Sequence, residues 1–287
     1  MGSNILLFTA ITALFSISVS LAQDKWAKVE VTSQIVSGAV HMLVGSGGNI
    51  GISAGDDGIL VIDDQYAPLA EKIATAIGNI SNKQIKYIVN THYHGDHTGS
   101  NAYFAEVKGS TIFAHDNVRK RLAGKEEHTH AALPVVTYQQ GVTFHFNGDT
   151  IKVMHFPAGH TDSDSVVWFE KANVLHPGDL FFQGRFPYID LDGGGTVAGY
   201  INNVTTLIGM LKEDTKIIPG HGMLATKVDY QKALDMLVDT SAMVRNMKTK
   251  GVSVEDAVKQ GLGEKYQAWA WNFITEEKWI KTLYKSQ

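Results

Sequence analysis

"NTHYHGDHTGS", residues 90–100, follows the apolar run "IKYIV" of residues 85–89 and sets three histidines and an aspartate within six positions. The whole chain has 12 histidines in 287 residues, so this crowding needs a chemical reason. A buried strand that ends in a loop of ligand-type side chains is how open α/β sheets build their binding sites. In an extended stretch alternate residues share a side, so His92 and His94 can converge on one point. Asp96 and His97, one turn further on, face a second point, and Gly95 reads as the residue that lets the backbone bend between the two sets. The spacing suits two adjacent metal ions.

Each ion needs further ligands, and the chain offers them at junctions of the same kind. "FPAGHTDSDS" presents His160 after a strand ending near Phe156, "VLHPGDLFF" presents Asp179 after one ending near Leu175, and "IIPGHGM" presents His221 after Ile217 and Ile218. In all three a glycine directly precedes the ligand-type side chain. Solvated turns account poorly for four such junctions in one chain. Imidazoles with carboxylates favour zinc, because Ca²⁺ and Mg²⁺ prefer all-oxygen shells, while iron and manganese are also served by this donor set.

Composition narrows the function classes. The chain has no cysteine, which removes thiol nucleophiles, thiolate ligands and disulfides. A formal net charge of −4 leaves no basic footprint for nucleic acid. Residues 5–22 carry no charge and are rich in Leu, Ile, Phe, Ala and Ser, so 1–22 is expected to be a signal peptide cleaved after Ala22, making the protein periplasmic or secreted. The lack of Lys or Arg in residues 1–4 leaves a retained anchor as the alternative; after cleavage no membrane association is expected. Residues 23–287 read as one domain, because no Pro-, Ser- or Gly-rich linker divides them. Short β-rich runs at 40–44, 50–54 and 59–63 precede an amphipathic helix over 66–80, and strands and helices then alternate to a long helix over 226–249. The order predicts an α/β (α+β) fold of two mixed sheets packed together with helices outside.

H-x-H-x-D-H after a strand, followed in order by G-H-T, G-D and G-H-G, is similar to the pattern of the metallo-β-lactamase superfamily over about residues 35–225. The resemblance implies a four-layer αββα sandwich, a first metal site of His92, His94 and His160, and a second of Asp96, His97 and His221. It further implies Asp179 as a bridge between two Zn²⁺ ions, and Asp63 as a supporting strand-end aspartate. The reaction expected is hydrolysis of an amide, ester, lactone or thioester by an activated water, without a covalent intermediate, with Asp96 as the catalytic proton carrier. Asp179 stands where some β-lactamases of the superfamily have a cysteine ligand. Phe182 stands where those enzymes carry a basic residue, and Arg185 is the nearest cation that could hold a substrate anion. The aspartate bridge looks more like glyoxalase II-type thioesterases and lactonases, so β-lactam cleavage stays open; a di-iron oxidoreductase on the same scaffold is the alternative of another class. A small-molecule substrate and a monomer are expected.

Other residues are read more plainly. His128 and His130 form an H-x-H in a charged loop, read as solvated. His176 is a strand-end histidine with a structural or supporting role, and His41, His115, His145 and His155 are packing or surface residues. "DLDGGG", residues 190–195, reads as a loop that could border the pocket. The aromatic segment 269–286 is expected to be a terminal helix docking on the core, with a contribution to the pocket rim as the alternative.

Overall fold

The run "GILVI" is buried at every position, as a strand must be when both its faces are covered. It forms β4 (Gly58–Ile62) at the centre of a sheet whose spatial order follows the sequence: β1 (Thr32–Ser37), β2 (Val40–Val44), β3 (Ile50–Gly55), β4, β5 (Ile85–Val89), β6 (Thr111–His115) and β7 (Val136–Tyr138). Pairing is antiparallel from β1 to β4 and parallel from β4 to β7. Parallel neighbours need crossovers. These are the helices Ala70–Ile80, Asn101–Lys108 and Asp116–Ala123.

The second sheet runs β13 (Ala225–Thr226), β12 (Lys216–Ile217), β11 (Val174–His176), β10 (Ser165–Phe169), β9 (Asp149–His155), β8 (Gly141–Phe146). Only β11 and β12 pair in parallel, across the helix Val197–Met210. This computed structural model describes residues 25–125 and 129–286. The expected signal peptide, its cleavage position and His128 lie outside the described residues.

Three apolar layers hold the elements together. Met42, Leu60, Ile62 and Val89 of the first sheet meet Phe144, Ile151, Val153 and Phe169 of the second. Ile73, Ile77 and Phe104 cover the first sheet's outer face over Ile52, Ile59 and Ile88. Val204, Leu207, Tyr230, Leu237, Trp279 and Leu283 cover the other outer face over Val166, Leu175 and Ile217. The result is the expected helix–sheet–sheet–helix sandwich. The long helix Lys227–Thr249 starts on a capping box between Thr226 and Asp229, a device that stabilises a helix start by about 1 kcal/mol. Among the described residues no helix is long and apolar enough to cross a membrane.

The structure corrects two local readings and adds two strands. Gly95 does not bend the chain by an unusual φ; it opens the short helix Gly95–Thr98, and that helix start turns the backbone between the histidine sets. β1 and β7 extend the first sheet at its edges, where short or exposed runs carry little periodic signal. The C-terminal helix spans only Glu276–Lys285, because Thr275 caps its start, and the aromatic residues before it follow an irregular path.

Candidate metal centre

Every predicted ligand sits at the rim of the sandwich, on a loop or short helical turn that follows a strand. Two groups form, His92, His94, His160 and Asp179 in one and Asp96, His97 and His221 in the other, with the donor atoms of each within 4.8 Å of one another. In the first, His94 Nδ1 lies 3.1 Å from His92 Nε2 and 2.9 Å from His160 Nε2. In the second, His221 Nε2 lies 3.3 Å from Asp96 Oδ2. Asp179 stands between them: Oδ2 is 3.4 Å from both His160 and His221, and Oδ1 is 3.2 Å from His97 Nε2. His97 Nε2 and Asp179 Oδ1 are buried, yet neither has a hydrogen bond of acceptable alignment. Orphaned buried polar atoms are costly, and two that face each other across a nitrogen–oxygen cluster are what a metal ion would satisfy. The donor set, histidine nitrogens with carboxylate oxygens, fits zinc.

Four of the five imidazoles are held by their far nitrogens. His92 Nδ1 meets the Thr91 hydroxyl at 3.0 Å, His160 Nδ1 the Tyr188 carbonyl at 2.7 Å, His97 Nδ1 the Asp63 carboxylate at 2.7 Å and His94 Nε2 the Asp190 carboxylate at 3.0 Å. Such partners fix ring orientation and raise ligand basicity. Asp63 serves both groups, because Thr91 gives it a backbone N–H and a hydroxyl, each at 2.7 Å. It does so from a left-handed backbone, φ 61°, uncommon outside glycine, which swings the end of β4 toward β5. Asp190 also accepts a hydrogen bond from Tyr93 Oη and one from the Gly193 amide at 2.8 Å.

Electrostatics differ between the groups. Desolvation drives His92 well below its ordinary pKa and His160 down to about 4, so both stay neutral, the form in which an imidazole can bind a metal ion. Desolvation also opposes charge on His97 and His221, but Asp179 with its neighbouring carboxylates outweighs it, raising His97 well up and His221 to about 9. The same pairing outweighs burial at Asp96 and brings it down to about 2, and it holds Asp179 well below the carboxylate range. Three buried or half-buried carboxylates thus gather here and call for positive charge.

Glycines let the loops close. A Cβ on Gly48 would overlap the His97 ring, and one on Gly220 would overlap Asp179. Backbone bonds from Asn49 to Gly220 and from Gly48 to Asp96 tie the loop after β2 to both neighbours. His176 is a structural residue: its Nε2 lies 3.1 Å from the Asn49 carbonyl and its Nδ1 accepts from the Gly178 amide. Burial pushes Asp164 up to about 7, against hydrogen bonds from Thr161 that fix the turn after His160. His115 and His155 stack face to face at 3.7 Å, away from the ligands, and His130 is exposed.

Above the ligands lies a cavity of about 670 Å³ whose lining includes Tyr66, Asp96, Phe182, Arg185, Trp271 and Phe273. Sequence reasoning placed Arg185 here. It missed Asp190, treated only as part of a bordering loop, whose carboxylate meets His94 across 96 residues of chain. In the aromatic segment both readings hold in part: Trp279 and Leu283 dock fully on the core, while Trp271 packs against that core and, with Phe273, lines the cavity.

Comparison with known proteins agrees with this geometry. The family described as the metallo-beta-lactamase superfamily matches residues 47–221. The chain is 31% identical over 166 residues to a hydroxyacylglutathione hydrolase of Nitrosococcus oceani, covering 57% of this chain and 58% of that protein. It is 29% identical over 160 residues to an uncharacterized protein of Aquifex aeolicus, covering 53% and 74%. Among solved structures, a metallo-beta-lactamase from Pontibacter korlensis superposes with a TM-score of 0.63 at 19% identity, covering 73% of this chain and 99% of that one. The sec-alkylsulfatase Pisa1 from Pseudomonas sp. gives 0.72 at 14% identity, covering 89% and 50%. These structural likenesses speak to fold alone.

Proposed function

Since the chain belongs to the metallo-β-lactamase superfamily, we propose that it is a binuclear zinc hydrolase acting on a small-molecule ester, thioester, lactone or amide. The observation that carries this is the pair of ligand groups joined by Asp179, with His97 Nε2 and Asp179 Oδ1 buried and unsatisfied between them. His92, His94 and His160 would hold one ion, Asp96, His97 and His221 the other. When bound, such ions supply Lewis acidity and an acidified water near neutral pH.

The chain's own residues do the rest. Asp96, its side chain 22% exposed at the cavity floor, is ionised at neutral pH and is placed to accept a proton and return it to a leaving group. Asp63 and Asp190 keep His97 and His94 aimed inward. The absence of cysteine and the ligand groups at the floor of the cavity support hydrolysis without an acyl-enzyme. A thioester is favoured over a β-lactam by the likeness to a protein named hydroxyacylglutathione hydrolase and by the aspartate at position 179. The charge-free residues 5–22 support export of the chain.

Elemental analysis of the purified protein, paired with rates on a thioester, a lactone and a cephalosporin reporter, tests the proposal. Close to two zinc ions per chain with turnover of the thioester or lactone is expected. One ion or none after zinc supplementation, or an acyl-enzyme trapped in mass spectrometry, overturns it.

A further inference from the structure

The metal ligands lie within the family match of residues 47–221, but much of the wall above them does not. Trp271 and Phe273 come from the irregular segment before the last helix, and Lys25 and Trp26 from the opposite end of the chain. Trp271 is fixed in place: its indole N–H donates to the Phe186 carbonyl at 2.9 Å and its amide to the Ile274 carbonyl at 3.1 Å.

The rings form a continuous series along the wall. Phe182 lies nearly parallel to the His221 imidazole, centroids 4.9 Å apart, and Trp271 follows at 6.2 Å. Phe273 is 5.5 Å from Trp271 and Tyr188 is 5.4 Å from Phe273, and Tyr188 returns to His94 and His160 at 5.7 Å. A flat group lying on this wall would be near both ligand groups at once. Over the Trp271 face, 5.0 Å from its centroid, sits the Arg185 guanidinium. Among the described residues no hydrogen bond or ion pair holds that guanidinium. It is half-buried, and desolvation lowers its pKa. Asp96 and Asp179, the acids lining the cavity, are both engaged with histidines. A half-buried cation without a counter-ion at a cavity wall is a place for an anionic group of a ligand.

We propose that residues 269–274 and Arg185 form this chain's specificity element, selecting substrates that carry an aryl group, packed on Trp271 and Phe273, and a carboxylate, held by Arg185. This rests on the hydrolase reading and narrows it to aryl carboxylates. Ring stacking supplies affinity for the flat group, and the planar guanidinium binds a carboxylate through two parallel N–H donors.

The test compares kcat/KM of the zinc-loaded enzyme for S-methyl thioacetate, S-benzyl thioacetate and S-(4-carboxybenzyl) thioacetate. It adds calorimetric binding of 4-methylbenzoate against uncharged 4-methylbenzamide. A rise in kcat/KM along the three thioesters is expected. Arg185→Gln should reduce the preference for the carboxybenzyl over the benzyl thioester about tenfold, and Arg185→Lys should restore part of it. Trp271→Ala should reduce the benzyl over methyl preference by a similar factor. Equal kcat/KM for all three in the wild type, or a carboxylate preference unmoved by Arg185→Gln, would overturn the inference while leaving hydrolysis itself standing. If none of the three is turned over, the thioester form of the hydrolase reading falls. The inference is then decided by binding alone, where 4-methylbenzoate must bind more tightly than the benzamide and lose that margin in Arg185→Gln.

Discussion

The floor of the cavity and its walls are built in opposite ways. On the floor, His92, His97, His160 and Asp179 are at most 5% exposed, and four of the five clustered histidines have the far nitrogen on a fixed partner. Of the wall residues, Phe273 is 49% exposed, and among the described residues the guanidinium of Arg185 rests on an indole face without a hydrogen bond or ion pair. The floor is set by strand ends that cannot shift without disturbing the sheets. At Arg185, Trp271 and Phe273 the walls belong to a loop and a chain end, clear of the buried floor. Under the proposed function, chemistry and selectivity are therefore separable.

Four substitutions test that separation. Asp179→Asn keeps the volume but removes the charge shared by both groups; it should lower hydrolysis about a thousandfold or more and leave at most one metal ion per chain by elemental analysis. Trp279→Ala removes a fully buried ring whose N–H donates to Thr240 Oγ1 at 3.1 Å. It should cost about 3–5 kcal/mol in denaturant unfolding of the zinc-loaded protein. A null result there would mean that the C-terminal helix is not part of the cooperative core. Asp190→Asn should weaken metal binding about 10–100-fold in chelator competition, with the loss confined to the ion held by His94; equal loss of both ions would break the assignment of Asp190 to one group. Phe273→Ala should change stability by about 0.5 kcal/mol or less and leave metal content intact. A drop in metal content would show that wall and floor are coupled after all.

The ligands were legible because their signals are local. A strand, a glycine and a histidine or aspartate within a few residues fix where a side chain emerges, and the H-x-H-x-D-H spacing encodes both groups in one turn. Asp63 was expected only through the family resemblance, and its left-handed φ was not expected at all. Asp190 was hidden, since "DLDGGG" looks like any polar turn until folding brings it to Tyr93 and His94. The two ends of the aromatic segment 269–286 look alike in composition. What separates them is the cap at Thr275, which starts a helix that buries Trp279 and Leu283 and leaves Trp271 and Phe273 on an irregular path beside His221.

By itself the sequence determined the layered α/β fold, through the period of its apolar residues, and the seven ligand-type side chains, through motifs that act over a few residues. Only the tertiary structure decided which distant groups hold those ligands and what lines the cavity above them. Such contacts join residues far apart in the chain, and their geometry comes from how sheets and helices pack rather than from residue type or spacing.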